Sequence, residues 1–124
     1  MPENTRNILV VDDNELNYTA VRKLLTKEGY NVTVAVDGLQ AMEMLMNNSS
    51  YDLVVTDMMM PQVTGQELLE AIKRNLYNKI KVIIVSSMQN ETMISEAFKA
   101  GADDYLIKPI NPTDLLQRVR KILN

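Results

Sequence analysis

Asp12, Asp13, Asp57, Ser86 and Lys108 are the side chains whose types and spacing could do chemistry together. They stand at the ends of four runs: "NILVVD" followed by Asp13, "DLVVTD", "KVIIVS" and "DYLIK". A carboxylate closing a buried run is costly to desolvate and adds nothing to a core, so some other demand holds Asp57 in "LVVTDMMMP". Carboxylates brought close repel and raise one another's pKa unless a cation sits among them. All-oxygen ligation suits a hard ion, Mg²⁺ or Mn²⁺, that keeps several of its waters. With such an ion at Asp13 and Asp57, an ammonium from Lys108 and a hydroxyl from Ser86, the set has the parts of phosphoryl transfer, namely positioning and neutralisation of the equatorial oxygens. Asp57 is then the candidate nucleophile, because an aspartyl phosphate is an established covalent species.

Each residue also has a plainer reading. Asp12-Asp13-Asn14 could cap the first helix, and Asp57 could close a strand at a turn. Ser86 or Lys108 alone says little. Met58, Met59 and Met60 read as gap-fillers in the packing, and Tyr105 as a half-buried strand residue. The combination of suitable groups at one pole weighs against coincidence.

The rest of the composition narrows the classes. The chain has 124 residues, 46% hydrophobic and 23% charged, with a formal net charge of −3. That fits one soluble globular domain over 1–124 and disfavours direct nucleic-acid contact. With no cysteine, disulfides, thiolate catalysis and cysteine metal sites are excluded. With no histidine, there is no imidazole base, imidazole ligand or phosphohistidine on this chain. The apolar runs fall short of the roughly 20 residues of a membrane span, and "MPENTRN" lacks the apolar stretch of a signal peptide. A cytoplasmic location without membrane contact is the expectation.

The elements that must position these groups alternate. Strands are expected at Asn7 to Asp12, Asn31 to Val36, Asp52 to Asp57, Lys81 to Ser86 and Asp104 to Lys108, each followed by an amphipathic segment. The first helix should turn Leu16, Ala20 and Leu24 to the core and end at Gly29; the second should turn in Leu39, Met42, Leu45 and Met46. The third opens on the capping box Thr64-x-x-Glu67 and continues through Leu68 and Ile72. The fourth runs through Met93, Ala97 and Ala100 to Gly101. The fifth starts with Asn111 as N-cap and Pro112 at its first position, then carries Leu115, Val119 and Ile122. Five βα units of this length cannot close a barrel. They predict an α/β fold, a (βα)5 doubly wound open parallel sheet of order 2-1-3-4-5 in a flavodoxin-like three-layer sandwich. Ligands in such sheets bind beyond the carboxyl ends at the switch between strands one and three, where Asp12, Asp13 and Asp57 stand.

With "ILVVDDN", "DMMMPQVTG", "VIIVSS" and "AGADDYLIKPI" in this order, the chain resembles a response-regulator receiver domain of two-component signalling from Arg6 to Leu123. The resemblance implies that Asp57 accepts a phosphoryl group from a phosphohistidine on a sensor histidine kinase or histidine phosphotransfer protein. It implies Mg²⁺ on Asp12, Asp13, Asp57 and the backbone carbonyl of Met59, phosphoryl oxygens on Lys108, and a cis bond from Lys108 to Pro109. Ser86 and Tyr105 would form the switch, with Tyr105 turning inward and biasing the face of helix four, strand five and helix five toward an output domain or protein partner. Such a domain is a signalling phosphoacceptor and not an enzyme acting on other substrates. Met59 and Met88, two residues past Asp57 and Ser86, occupy positions that vary in the family the chain resembles and there influence loss of the phosphoryl group. Both are apolar and bulky, and are expected to obstruct the attacking water. Asp104 and Arg118 match the charged dimer scheme of DNA-binding members, but Ile94 stands where a basic residue is expected.

Rival readings fit less well. An FMN module needs a phosphate-cradling loop after strand one and aromatic walls, whereas the chain offers Asp-Asp-Asn there, no tryptophan and one phenylalanine. A phosphatase with an aspartyl nucleophile needs a second acid where Met59 stands. The alternative that keeps the fold is a phosphorylation-independent pseudo-receiver, an interaction module that normally lacks an acid or the lysine.

Overall fold

The computed structural model describes residues 5–48, 50–75 and 79–124; the first four residues of the "MPENTRN" segment lie outside them. Five strands, β1 (Asn7–Val11), β2 (Asn31–Ala35), β3 (Leu53–Asp57), β4 (Lys81–Ser86) and β5 (Asp104–Ile107), form one parallel sheet of order β2-β1-β3-β4-β5. They alternate with α1 (Glu15–Lys27), α2 (Gly38–Asn47), α3 (Gly65–Asn75), α4 (Glu91–Lys99) and α5 (Pro112–Leu123). The fold is the expected doubly wound α/β sandwich. Several strands stop one residue short of the expected span, so Asp12, Val36 and Lys108 begin the loops that follow.

Alternation along the strands divides the core into two layers. Leu9, Val11, Val54, Val82 and Ile84 face α2, α3 and α4, where Leu45, Leu68, Leu69, Ile72 and Ala97 are buried. Ile8, Val10, Leu53, Val55, Ile83, Val85 and Leu106 face α1 and α5, meeting Val21, Leu25, Leu115 and Val119. Burying each large aliphatic contributes about 1.5–3 kcal/mol, and that two-sided burial explains why the central strands read as continuous apolar runs.

Helix ends follow their local chemistry. The capping box is complete: Glu67 N–H donates to Thr64 Oγ1 at 3.1 Å and Thr64 N–H to Glu67 Oε1 at 3.0 Å. Asn111 caps α5 by accepting from Asp114 N–H. The cap of α1 is Asn14, which accepts from Asn17 N–H at 3.0 Å, and not Asp12 or Asp13. Gly29 and Gly101 follow their helices with φ of +95° and +108°.

Two expected helix faces are corrected. In α1, Leu16 is 82% exposed and Ala20 is also exposed, while Val21 and Leu25 turn inward. In α2, Leu39 and Met46 are 51% and 72% exposed, and Gly38, Ala41 and Leu45 are buried. The physical reason in α2 is space: a Cβ on Gly38 would lie 2.6 Å from Val63 Cβ, so the helix approaches the β3–α3 loop on its smallest residues.

Candidate functional site

The site is assembled at the carboxyl edge of the sheet. Pairing of β1 with β3 sets the end of β1, with Asp12 and Asp13 just beyond it, beside the end of β3 at Asp57. One ligand oxygen from each of Asp12, Asp13 and Asp57 lies within 4.8 Å of the others. Asp12 and Asp57 are buried, at 7% and 9% exposure, whereas Asp13 is exposed. Lys108 Nζ reaches between the two buried acids, 3.3 Å from Asp57 Oδ2 and 3.7 Å from Asp12 Oδ2.

Burial pushes the Asp12 carboxyl above the ordinary carboxylate range, with Asp57 and Asp13 adding to the rise. A hydrogen bond from Asn14 N–H to Asp12 Oδ1, 2.9 Å long, and the charge of Lys108 oppose it. Desolvation and crowding of like charge therefore outweigh one ammonium, the situation in which a bound cation is favoured. Three hard oxygen donors at this spacing fit Mg²⁺ or Mn²⁺.

Backbone contacts hold the end of β3. Met58 N–H donates to Val85 O at 2.9 Å, Gly65 N–H to Met58 O at 2.8 Å, and Thr56 Oγ1 to Asp57 O at 3.0 Å. Gly65 packs its Cα on this turn so closely that a Cβ there would lie 2.8 Å from Met58 Cα and nearer still to the Asp57 carbonyl oxygen. Met59 is 56% exposed, and its N–H donates to Asp57 Oδ1 at 3.4 Å. Gly65 and Thr56 went unassigned in the sequence; the capping box just before α3 was the available signal for how close that helix start comes.

Ser86 is fully buried, and its Oγ accepts from Met88 N–H at 3.0 Å. Lys108 N–H donates to Ser86 O at 2.9 Å, tying the lysine to the end of β4, and the Lys108–Pro109 bond is cis as the resemblance implied. Tyr105 lies inward at 8% exposure, its hydroxyl donating to Met88 O at 3.1 Å. The half-buried reading of Tyr105 is thus replaced by a buried one. Arg118 is engaged within the chain, with Asp104 at 2.7 Å and Asp114 at 3.0 Å, and these hydrogen bonds raise its pKa further.

Residues 8–120 match the response regulator receiver domain family. The chain is 33% identical over 124 residues to the rice two-component response regulator ORR3, covering 99% of this chain and 95% of that protein. It is 39% identical over 116 residues to the transcriptional regulatory protein CpxR of Escherichia coli, covering 94% of this chain and 48% of that longer protein. A CheY-like receiver domain from Methanospirillum hungatei superposes with a TM-score of 0.88 at 32% identity, over 96% of this chain and 94% of that one. A CheY from Borrelia burgdorferi, solved in a complex with CheX, BeF₃ and Mg²⁺, superposes with a TM-score of 0.87 at 28% identity, over 96% and 90%. The chain belongs to the response-regulator receiver family of two-component signal transduction. Receiver domains are signalling domains that bind Mg²⁺ and work with histidine kinases or phosphotransfer proteins and with output domains. No helix among the described residues is long and apolar enough to cross a membrane.

Proposed function

We propose that residues 1–124 act as one cytoplasmic phosphoacceptor unit in which Asp57 takes a phosphoryl group from a phosphohistidine on a sensor histidine kinase or phosphotransfer protein. The observation that carries this reading is Lys108 Nζ within ion-pair distance of Asp57 and Asp12 beside a third carboxylate, Asp13. In the transfer, an Asp57 carboxylate oxygen attacks phosphorus, the bond from phosphorus to the partner's imidazole nitrogen breaks, and that nitrogen keeps the electron pair. Lys108 orients the phosphoryl oxygens and offsets their charge. Asp12, Asp13 and Asp57, with the backbone carbonyl of Met59, would hold Mg²⁺ or Mn²⁺, which neutralises oxygen charge when bound.

The exposed stripe of α1 supplies a place for the donor. Ala20 and Leu24 border an open groove of about 760 Å³ with Pro109, Ile110 and Lys108. Because Lys108 lines both the groove and the acceptor pair, a helix of the donor seated there brings its phosphohistidine to Asp57. Phosphorylation adds charge at the pole, to which the Ser86 hydroxyl responds by leaving Met88 N–H. Tyr105, bonded to Met88 O, couples that change to the face of α4, β5 and α5 and so to an output domain or protein target.

The test is intact mass after incubation with acetyl phosphate, with and without Mg²⁺. A gain of about 80 Da, seen with metal in wild type and not in Asp57→Asn, is expected. No gain with acetyl phosphate or with a panel of histidine kinases would leave the pseudo-receiver reading instead.

A further inference from the structure

We infer that Met59 and Met88 form a peroxide-sensitive pair whose conversion to sulfoxides shortens the life of the phosphorylated form. The inference rests on Asp57 as acceptor. The chain has nine methionines and no cysteine, so the thioether is its reversible two-electron redox group. Placement selects two of them. Met58 and Met60 are 2% and 7% exposed and shielded, whereas Met59 and Met88 are 56% and 42% exposed.

These two stand just beyond the ends of neighbouring strands, Met59 after β3 and Met88 after β4. Asp57 pairs with Val85, the residue before Ser86, so the ends of β3 and β4 lie side by side. Each methionine stands two residues beyond, with its backbone N–H held by the side chain it follows: Met59 by Asp57 Oδ1 and Met88 by Ser86 Oγ. Both exposed residues are therefore tied through their backbones to the pole that carries Asp57, and on this inference their side chains border the path of an attacking water.

In the oxidation the sulfur attacks one oxygen of hydrogen peroxide, the O–O bond breaks, an S–O bond forms and water leaves. Sulfur gives up two electrons and the peroxide takes them. The product is polar and accepts hydrogen bonds where the thioether was apolar, so it draws water to the rim. In the hydrolysis that follows, water attacks phosphorus, the bond to the Asp57 oxygen breaks and the carboxylate is restored with release of inorganic phosphate. Lowering that barrier by about 1 kcal/mol accelerates the loss about fivefold.

The experiment uses wild type, the Met59→Leu/Met88→Leu double variant and Met46→Leu, Met46 being 72% exposed on α2 and serving as the control for general oxidation. Each is treated with dilute hydrogen peroxide, the gains of about 16 Da are mapped by peptide mass, and each is loaded with acetyl phosphate. After donor removal, loss of the phosphoryl mass is timed against the same protein untreated. We expect treated wild type and Met46→Leu to lose it about fivefold faster, the double variant to match its own untreated rate, and methionine sulfoxide reductases to restore wild type. An unchanged lifetime with both residues oxidised, or no sulfoxide at either, would overturn the inference. If untreated wild type never gains the phosphoryl mass, the acceptor reading has failed and this inference falls with it.

Discussion

Gly65→Ala tests whether close backbone approach positions the acceptor. The added Cβ would lie 2.8 Å from Met58 Cα, against the roughly 3.5–4.0 Å of a comfortable carbon–carbon contact. The Asp57 carbonyl oxygen would lie nearer still. Both obstacles are backbone, so no rotamer change relieves them and the turn after β3 must move by about 1 Å. Overpacking of this kind costs about 1–3 kcal/mol, and the better helix propensity of alanine returns at most about 1. A net loss near 2 kcal/mol lowers the melting temperature by roughly 8 °C at this size.

The functional effect should be larger, because displacing a reacting group by about 1 Å costs about a hundredfold in rate. Gly29→Ala is the control. No atom lies within 4 Å of its Cβ position, but its φ is +95°, so it loses about 1–2 kcal/mol to backbone strain far from the site and keeps normal uptake. Urea midpoints at unchanged m-value and initial rates of mass gain from acetyl phosphate measure the two effects. Wild-type uptake by a destabilised Gly65→Ala would refute the positioning argument, and a wild-type midpoint would refute the packing argument.

Other expectations follow from the charges. Lys108→Ala leaves Asp57 and Asp12 without their ammonium and should slow uptake by about a hundredfold or more, read by the same mass assay. The raised pKa of Asp12 means that the folded chain binds that proton more tightly than the unfolded chain. The resulting stability is present below the unfolded carboxyl's pKa and is lost as pH rises through the raised value. Asp12→Asn should therefore be more stable than wild type at pH 7 without Mg²⁺, read as a higher urea midpoint. The difference should vanish in melts below the carboxylate range, and added Mg²⁺ should raise the wild-type melting temperature more than the variant's.

The order of elements and the candidate acids were legible because they rest on local signals. Apolar runs ending in acids mark the strand ends, Asn111-Pro112 and Thr64-x-x-Glu67 mark helix starts, and Gly29 and Gly101 mark helix ends. The inward faces of α1 and α2 were not. A stripe at i, i+4 exists on two sides of α1, and hydropathy does not separate Leu16 from Val21, of which the core takes Val21. In α2 the buried side is set by how closely Val63 approaches, which favours Gly38 and Ala41 over the larger Leu39. The cap of α1 was similarly ambiguous among Asp12, Asp13 and Asn14 until Asp12 Oδ1 was committed to Asn14 N–H. Tyr105 read as half-buried because its bond partner, Met88 O, belongs to a loop whose path the sequence does not reveal.

The charge arrangement also separates the acceptor from its neighbours. Three carboxylates lie together and Lys108 pairs with two of them, so an anionic phosphoryl group taken up on the proposed reading would meet carboxylate repulsion there. Unit charges about 4 Å apart interact by about 4 kcal/mol at an effective dielectric of 20, a repulsion that a bound cation would offset. Of the three acids, Asp12 has one oxygen committed to Asn14 N–H, Asp13 is exposed, and Asp57 has the shortest approach to Lys108. On the proposed reading Asp13 would contribute charge for a cation, and Asp57 the oxygen that bonds to phosphorus. Asp13→Asn should then raise the Mg²⁺ concentration for half-maximal uptake by about tenfold, the loss of about 1.4 kcal/mol of attraction, and still reach full loading. Asp57→Asn should gain no mass at any Mg²⁺ concentration. Titrating Mg²⁺ against the mass gain distinguishes the two roles, and loading of Asp57→Asn at high metal would reassign the acceptor to Asp12 or Asp13.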